Sequence, residues 1–141
     1  MDKNLKRIDS FLEKHHVMSL ATSDEESLHV CNLFYVFDIQ NHSFIVASGD
    51  ETTHVRHILK NPDVAGSVVL ETKTVGKIQG VQFNAAATSL KSSALKKLYF
   101  KTFPYALAMN PKLWQIKVNY FKLTDNRLGF GKKIIWRDTS V

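Results

Sequence analysis

The chain has 141 residues, 44% apolar and 23% charged, a balance typical of one folded domain rather than of a disordered chain. No stretch reaches the roughly 20 apolar residues that a membrane-spanning helix needs, and the charged start, residues 1–7, lacks the apolar core of a secretion signal. The single cysteine, Cys31, excludes an internal disulfide and is interpreted as a buried small hydrophobe. One cytoplasmic domain over residues 1–141 is expected, and the formal charge of +6 leaves an anionic partner open.

The first third of the chain predicts one helix followed by three strands. Apolar residues recur at the three- and four-residue spacing of an amphipathic helix at Leu5, Ile8, Phe11 and Leu12. The helix ends near His15 and His16, which are interpreted as polar caps of its last carbonyl groups. Strand-like runs follow at residues 17–22, 28–37 and 43–48, with polar turns between them.

The rest of the chain adds two helices and four strands. The helices cover residues 51–59, which end before Asn61 and Pro62, and the stretch from Ser92 or Ser93 to Phe103. The strands cover residues 64–70, 75–90, 113–123 and 131–136. Gly76 and Gly80 predict a bend or bulge in the long strand 75–90. Strict alternation places Trp114, Ile116, Val118 and Tyr120 on one face of the strand 113–123. The pattern predicts an α+β domain, mainly β, built as an antiparallel barrel or sandwich.

The residues alone give weak signals of a site. His54 and His57 stand three apart on a predicted helix, but without a third ligand they are interpreted as solvated surface histidines, and no metal site is expected. Thr52, Thr53 and His54 begin that helix, where hydroxyl and N–H groups suit a phosphate. The alternative is that Thr52 only caps the helix, and on the residues alone that alternative is favoured.

Four segments together resemble the pyridoxamine-phosphate-oxidase-like, FMN-binding split-barrel proteins. The segments are residues 31–38, the Thr52–Thr53–His54 step, residues 80–83, and the run 124–136, which reads TDNRLGFGKKIIW. That run resembles the TDNxLGFGKKxIW carboxyl-terminal motif of a small bacterial subfamily. The resemblance covers nearly the whole chain and implies a six- to seven-stranded antiparallel split β-barrel with flanking helices.

The resemblance also implies a homodimer with FMN at the subunit interface and flavin-dependent oxidoreductase activity on an unknown small molecule. Carried over by position, Asn32 falls where an arginine often binds the phosphate, and His54 falls at a lysine. Ser48 and Thr52 match hydroxyl-bearing positions. The full set of implied cofactor-binding residues is Asn32, Leu33, Phe34, Tyr35, Ser48, Thr52, Thr53 and His54, with Lys132 and Trp136 from the partner subunit.

Two departures from the family pattern bear on this function. Asn32 and His54 replace both expected cations, which should weaken phosphate binding unless His54 is protonated or Arg56, Lys132 or Lys133 supplies the positive charge. No residue stands out as a catalytic acid or base. A non-catalytic binding module for flavin, haem or a small anionic metabolite is therefore the alternative. Nucleic-acid binding is a third and weaker alternative, because the aromatic residues fall at core-facing strand positions rather than among the lysines.

Overall fold

The computed structural model describes residues 3–139, which form three helices and one antiparallel sheet of eight strands. The helices are α1 (Lys3–Lys14), α2 (Thr53–Lys60) and α3 (Ser93–Thr102). The strands are β1 (Val17–Ser23), β2 (Leu28–Phe34), β3 (Val36–Asp38), β4 (Ser43–Ala47), β5 (Asp63–Val69), β6 (Gln79–Ser89), β7 (Leu113–Asp125) and β8 (Lys133–Arg137). No helix within residues 3–139 is long and apolar enough to cross a membrane.

The helix ends follow from local chemistry that the sequence predicts. Nδ1 of His15 lies 2.8 Å from the carbonyl oxygen of Phe11, which confirms His15 as a partner of the last turn of α1. Thr52 and Ser92 cap α2 and α3, and each side-chain oxygen accepts a backbone N–H three residues later.

The sheet is curled, and its strand order is β2-β1-β5-β6-β7-β4-β3, with β8 added beside β7. Every strand pair is antiparallel. The predicted mainly-β architecture with flanking helices is confirmed. The eighth strand arises because the run 28–37, predicted as one strand, divides at Tyr35. There the backbone N–H bonds to the carbonyl of His16, and the chain passes from pairing with β1 to pairing with β4.

The irregular position of the sheet lies on β7 and not at the glycines. Ala85 of β6 pairs with Val118, and the preceding Asn84 pairs with Tyr120, so Asn119 is an extra residue in β7. The predicted alternation through Tyr120 is therefore wrong beyond Val118, and Phe121 takes the next buried position. The irregularity predicted for the strand 75–90 is therefore found at Asn84 and Ala85 and not at Gly76 or Gly80. Gly76 lies in a 3₁₀ turn before β6, and Gly80 pairs regularly within β6.

Aromatic rings fill the interior of the curled sheet. Phe44 is fully buried and has ring centroids of Phe83, Tyr35 and Phe37 within 4.7 to 5.1 Å. Edge and tilted contacts of this kind add to the burial of apolar area. Cys31 is half-buried against this core, and burial raises the pKa of its thiol, which agrees with its interpretation as a small hydrophobe.

Candidate functional site

The end of β4 and the start of α2 form a rigid polar corner. The backbone of Ser48 is held on both sides, because its N–H donates to the carbonyl of Lys112 (3.0 Å) and its carbonyl accepts from the indole of Trp114 (3.0 Å). The hydroxyl of Thr52 donates to the carbonyl of Gly49 (2.8 Å) and accepts from the N–H of Val55 (3.3 Å). The cap therefore holds the first turn of α2 against the end of β4.

Ser48 and His54 meet at this corner. The hydroxyl oxygen of Ser48 lies 2.6 Å from Nε2 of His54, and the hydroxyl oxygen of Thr52 lies 3.5 Å from the same nitrogen. The backbone N–H groups of Thr53 and His54 open the helix, and neither has a hydrogen-bond acceptor among the described residues. The corner thus brings together two free backbone donors, one hydroxyl group and one imidazole.

The surroundings of His54 favour the neutral form of its imidazole. Burial lowers its pKa below the usual 6.5, and the neighbouring His29 lowers it further. The ring of His29 lies parallel to that of His54, with centroids 6.4 Å apart. An anion bound at the corner would oppose both effects, because a negative charge favours the protonated imidazole.

The interpretation of His54 and His57 as solvated surface histidines is wrong. Their exposed fractions are 7% and 5%, because the first turn of α2 packs against β1 and β2. Nδ1 of His57 lies 3.0 Å from the hydroxyl oxygen of Thr22, and Nε2 lies 3.2 Å from that of Ser27. His57 therefore connects α2 to the β1–β2 hairpin through hydrogen bonds.

His29 is the site residue that the sequence reasoning missed. It stands on β2, and its ring contacts both His54 and His57. The alternation of side chains along β2 indicates that His29 points inward, because it lies on the same side of the strand as Cys31 and Leu33. Its partners, His54 and His57, lie on α2, more than 20 residues away in sequence, so no local pattern predicts that the three histidines meet.

The implied residues of β2 divide between two faces of the sheet. Leu33 points inward and packs against the core, whereas Asn32 and Phe34 are exposed on the outer face. The side chain of Asn32 accepts a hydrogen bond from the hydroxyl of Ser19 (2.9 Å). Since His29 lies on the inner face, the structure does not bring Asn32 to the Ser48–His54 corner.

Tyr35 and Thr53 are also directed away from the corner. The Tyr35 ring is buried in the core, where its hydroxyl donates to the carbonyl of Leu12 (2.7 Å). Burial raises the pKa of this phenol. The hydroxyl of Thr53 accepts from the guanidinium of Arg56 (3.3 Å) at the surface. Thr53 therefore contributes its backbone N–H to the corner and not its side chain.

Lys132 and Trp136 lie far from the corner within one protomer. The carboxyl end of β4 pairs with β7 at Leu113, whereas Trp136 of β8 pairs with Phe121. Eight residues of strand separate these two points, which is roughly 25 Å at 3.3 Å per residue. Lys132 and Trp136 of the same protomer therefore lie too far from the corner to contact a group bound there.

The corner suits a phosphate by its donors but brings no fixed charge. Backbone N–H groups at a helix start and a serine hydroxyl are ordinary phosphate partners. The imidazole of His54 supplies a charge only when protonated. Within residues 3–139, no group of three or more His, Cys, Asp or Glu side chains is arranged to hold a metal ion.

Sequence comparison matches the family model described as pyridoxamine 5'-phosphate oxidase over residues 5–122. Curated relatives span the same length. A UPF0306 protein of Cronobacter sakazakii is 38% identical over 135 residues, with 94% of each chain covered. The UPF0306 protein YhbP of Escherichia fergusonii is 37% identical over 141 residues, covering 98% of this chain and 96% of the relative.

Solved structures show the same fold at low identity. A haem-binding protein of Mycobacterium smegmatis superposes with a TM-score of 0.79 at 13% identity, covering 97% of this chain and 59% of that chain. A FAD-binding protein of Mesorhizobium loti superposes with a TM-score of 0.69 at 14% identity, covering 84% of this chain and 90% of that chain. The chain belongs to the pyridoxamine 5'-phosphate oxidase family of split-barrel proteins, and its close relatives are the UPF0306 proteins.

Proposed function

We propose that this chain is a cytoplasmic FMN-binding protein of the split-barrel fold that works as a flavin-dependent oxidoreductase. The phosphate of the flavin binds at the start of α2. The observation that carries the proposal is the convergence of donors there: the free N–H groups of Thr53 and His54 beside the linked Ser48 hydroxyl and His54 imidazole. The FAD-binding neighbour supports a flavin ligand for this fold.

The residues of the corner contribute to phosphate binding in different ways. The N–H groups of Thr53 and His54 donate to its oxygens, with the helix dipole favouring negative charge. Ser48 adds a donor whose position is fixed by the backbone bonds to Lys112 and Trp114. Thr52 shapes the turn, because its hydroxyl proton is already given to the carbonyl of Gly49. His54 takes up a proton as the phosphate arrives and replaces the missing lysine.

Bound FMN would supply the electron transfer, and the protein supplies its position and surroundings. The inner face of β2, with Leu33 half-buried there, borders the corner through His29. No acid or base among the described residues is assigned to the reaction. The oxidoreductase step therefore rests on the cofactor and on a substrate of unknown identity.

A flavin titration of the purified protein tests the proposal. We expect saturable quenching of FMN fluorescence and roughly tenfold weaker binding in Ser48→Ala, because a hydrogen bond to a charged group is lost. Ser93→Ala is the matched control, since Ser93 is exposed at the start of α3. A wild-type protein that takes up no FMN, or equal affinity in Ser48→Ala, would contradict the phosphate assignment.

We further propose that two copies of the chain form the working unit. Leu28, Val30 and Phe34 project from the outer face of β2 with exposed fractions of 86%, 65% and 62%. Among the described strands, β2 pairs only with β1, so its other edge is open. An apolar face beside an open edge favours association with another chain. A second copy would also bring in Lys132 and Trp136, which one protomer holds too far away.

The second candidate function is haem binding without catalysis. The specific observation is His29: its ring is half-buried, contacts two other histidines and has no hydrogen bond among the described residues. The imidazole of His54, another candidate ligand, is already hydrogen-bonded to Ser48. The haem-binding neighbour of Mycobacterium smegmatis shares the fold.

A haemin titration separates this candidate from the first. Haem binding through His29 predicts a Soret band that is lost in His29→Ala and kept in His16→Ala, an exposed histidine between α1 and β1. Flavin binding predicts no stoichiometric Soret band and an unchanged FMN affinity in His16→Ala. A Soret band that survives His29→Ala would overturn the ligand assignment.

A further inference from the structure

A cleft lies between α1 and the ends of β5, β6 and β7, away from the Ser48–His54 corner. Its volume is about 530 Å³, within the range of small-molecule pockets. It shares no residue with the corner at the start of α2. One wall comes from the motif run 124–136, which the proposed flavin site uses only through Lys132 and Trp136.

One face of α1 supplies cations to this cleft. Lys6, Ser10 and Lys14 recur at four-residue spacing, and Arg7 lies beside them, so all four line the same wall. None of Lys6, Arg7 and Lys14 forms an ion pair with a described carboxylate. Unpaired cations that line one concave wall raise the local concentration of anions.

The opposite wall holds a fixed guanidinium. Arg127 donates from Nε and Nη2 to the two carboxylate oxygens of Asp125, at 3.0 and 2.8 Å, and from Nη2 to the side-chain oxygen of Gln79 at 3.0 Å. Asp125 is buried, and the hydrogen bonds from Arg127 hold the pKa of its carboxyl below the ordinary value. Asp125 therefore carries a negative charge that acts on Arg127 directly and on Arg7 at longer range, whereas Lys6 and Lys14 have no described carboxylate as an ion-pair partner.

Between the two charged walls the lining is largely apolar. The ring of Phe11 stacks on that of His15 with centroids 4.1 Å apart, and Leu70 and Leu123 complete the floor. Inorganic phosphate alone would leave this surface in contact with water. A ligand with a flat apolar body would cover it and gain from its burial.

We propose that this cleft binds a small organic anion, with its acidic group against Lys6, Arg7 and Lys14 and its flat body against Phe11, His15 and Leu123. The site is separate from the proposed flavin site and does not depend on it. It also gives the Asp125–Arg127 pair of the carboxyl-terminal run a role in shaping a ligand pocket.

Calorimetric titration with phenyl phosphate tests this site, with inorganic phosphate and benzyl alcohol as partial probes. We expect saturable binding at the cleft that is at least about tenfold tighter for phenyl phosphate than for either partial probe, because inorganic phosphate lacks the aromatic ring and benzyl alcohol lacks the anionic group. Lys6→Gln combined with Lys14→Gln should weaken phenyl phosphate by roughly tenfold. Lys97→Gln combined with Lys101→Gln, two exposed lysines of α3, should leave the affinity unchanged.

His54→Ala distinguishes the two proposed sites. If phenyl phosphate binds in the cleft, the affinity of the cleft for it should be the same in this variant as in the wild type. Absence of saturable binding at millimolar concentration, equal binding of inorganic phosphate, or loss of binding in His54→Ala with retention in the double lysine variant would each overturn the assignment.

Discussion

At the scale of single residues, His54 decides how a flavin phosphate can be held without a fixed cation. In the free protein its pKa lies below 6.5 because of burial and the neighbouring His29. A bound phosphate raises that pKa again, so binding and proton uptake are coupled. In the proposed flavin site, this coupling would replace the permanent charge that a lysine provides at the same position.

The coupling predicts pH-dependent flavin affinity. Because the bound-state pKa is the higher one, the affinity falls as the pH rises through it. Between pH 6.5 and 8, where the flavin phosphate is largely dianionic, we expect the dissociation constant of FMN to rise by up to about tenfold per pH unit. His54→Gln should remove this dependence, and fluorescence titrations at several pH values measure it. An equal slope in His54→Gln would contradict the role of the imidazole.

Asp9 is a second buried ionisable residue, and it opposes folding when charged. It is 5% exposed on the inner face of α1, and Oδ1 has no hydrogen-bond partner among the described residues. Burial, with a smaller effect of Glu13, raises its pKa from 3.8 to about 6. The folded state thus favours the protonated form, and the associated stability is lost as the pH rises through about 6.

Asp9→Asn should therefore stabilise the protein at pH 8. We expect a gain of about 1 to 3 kcal/mol in the free energy of unfolding, which shrinks toward zero near pH 4. Urea unfolding of both proteins at the two pH values measures the difference. A variant that is less stable than the wild type at pH 8 would show that the Asp9 carboxylate has a stabilising partner.

Gly66 illustrates a packing constraint at one backbone position. A Cβ atom placed there would collide with the ring of Phe83 and lie 2.6 Å from the carbonyl oxygen of Ser19. Gly66→Ala should cost about 1 to 3 kcal/mol of stability, because a buried ring and the neighbouring strand must both shift. Gly76→Ala is the control, since no atom lies within 4 Å of its added Cβ. Thermal unfolding compares the two, and equal stability would contradict the packing argument.

At the scale of elements, the caps of α2 and α3 should contribute alike to stability but differently to function. Thr52→Ala and Ser92→Ala each remove a side-chain acceptor for a helical N–H and should each cost about 1 kcal/mol. Only Thr52→Ala should also weaken FMN, because it loosens the turn that positions His54. Unfolding curves and flavin titrations of both variants test this, and equal flavin affinity in the two would contradict it.

Local periodicity was sufficient to predict most elements, because α1 and several strands, such as β1 and β2, bury one face each. It failed where tertiary contacts decide. The division of run 28–37 at Tyr35 depends on a bond to His16, and the extra residue Asn119 in β7 depends on its pairing with β6. Neither leaves a local signal, because each depends on residues that are distant in sequence.

The candidate site was predictable in part for the same reason. Ser48, Thr52 and His54 lie within seven residues of one another, so the resemblance places them together and the structure does too. His29 joins them only through the packing of α2 on β2. Asn32 was assigned by position along β2, but the side-chain alternation of that strand puts it on the outer face.

At the scale of the whole molecule, the outer face of β2 should govern association. The side chains of Val30 and Phe34 are largely exposed in the protomer, so Val30→Glu combined with Phe34→Glu should leave the fold intact and convert a dimer into a monomer. Val75→Glu, on an exposed turn away from β2, should not. Light scattering of the three proteins gives their masses. A monomeric wild type, or a double variant that remains dimeric, would contradict the proposed interface.

The central claim, that the corner formed by Ser48 and the start of α2 recognises a flavin phosphate, is tested most directly by comparing FMN with riboflavin. The two ligands share the flavin ring and differ in the phosphate alone. Equilibrium titration of the cofactor-free wild-type protein at pH 6.5 should show FMN bound at least about tenfold more tightly. Equal affinity for the two ligands, or binding of neither, would contradict the claim.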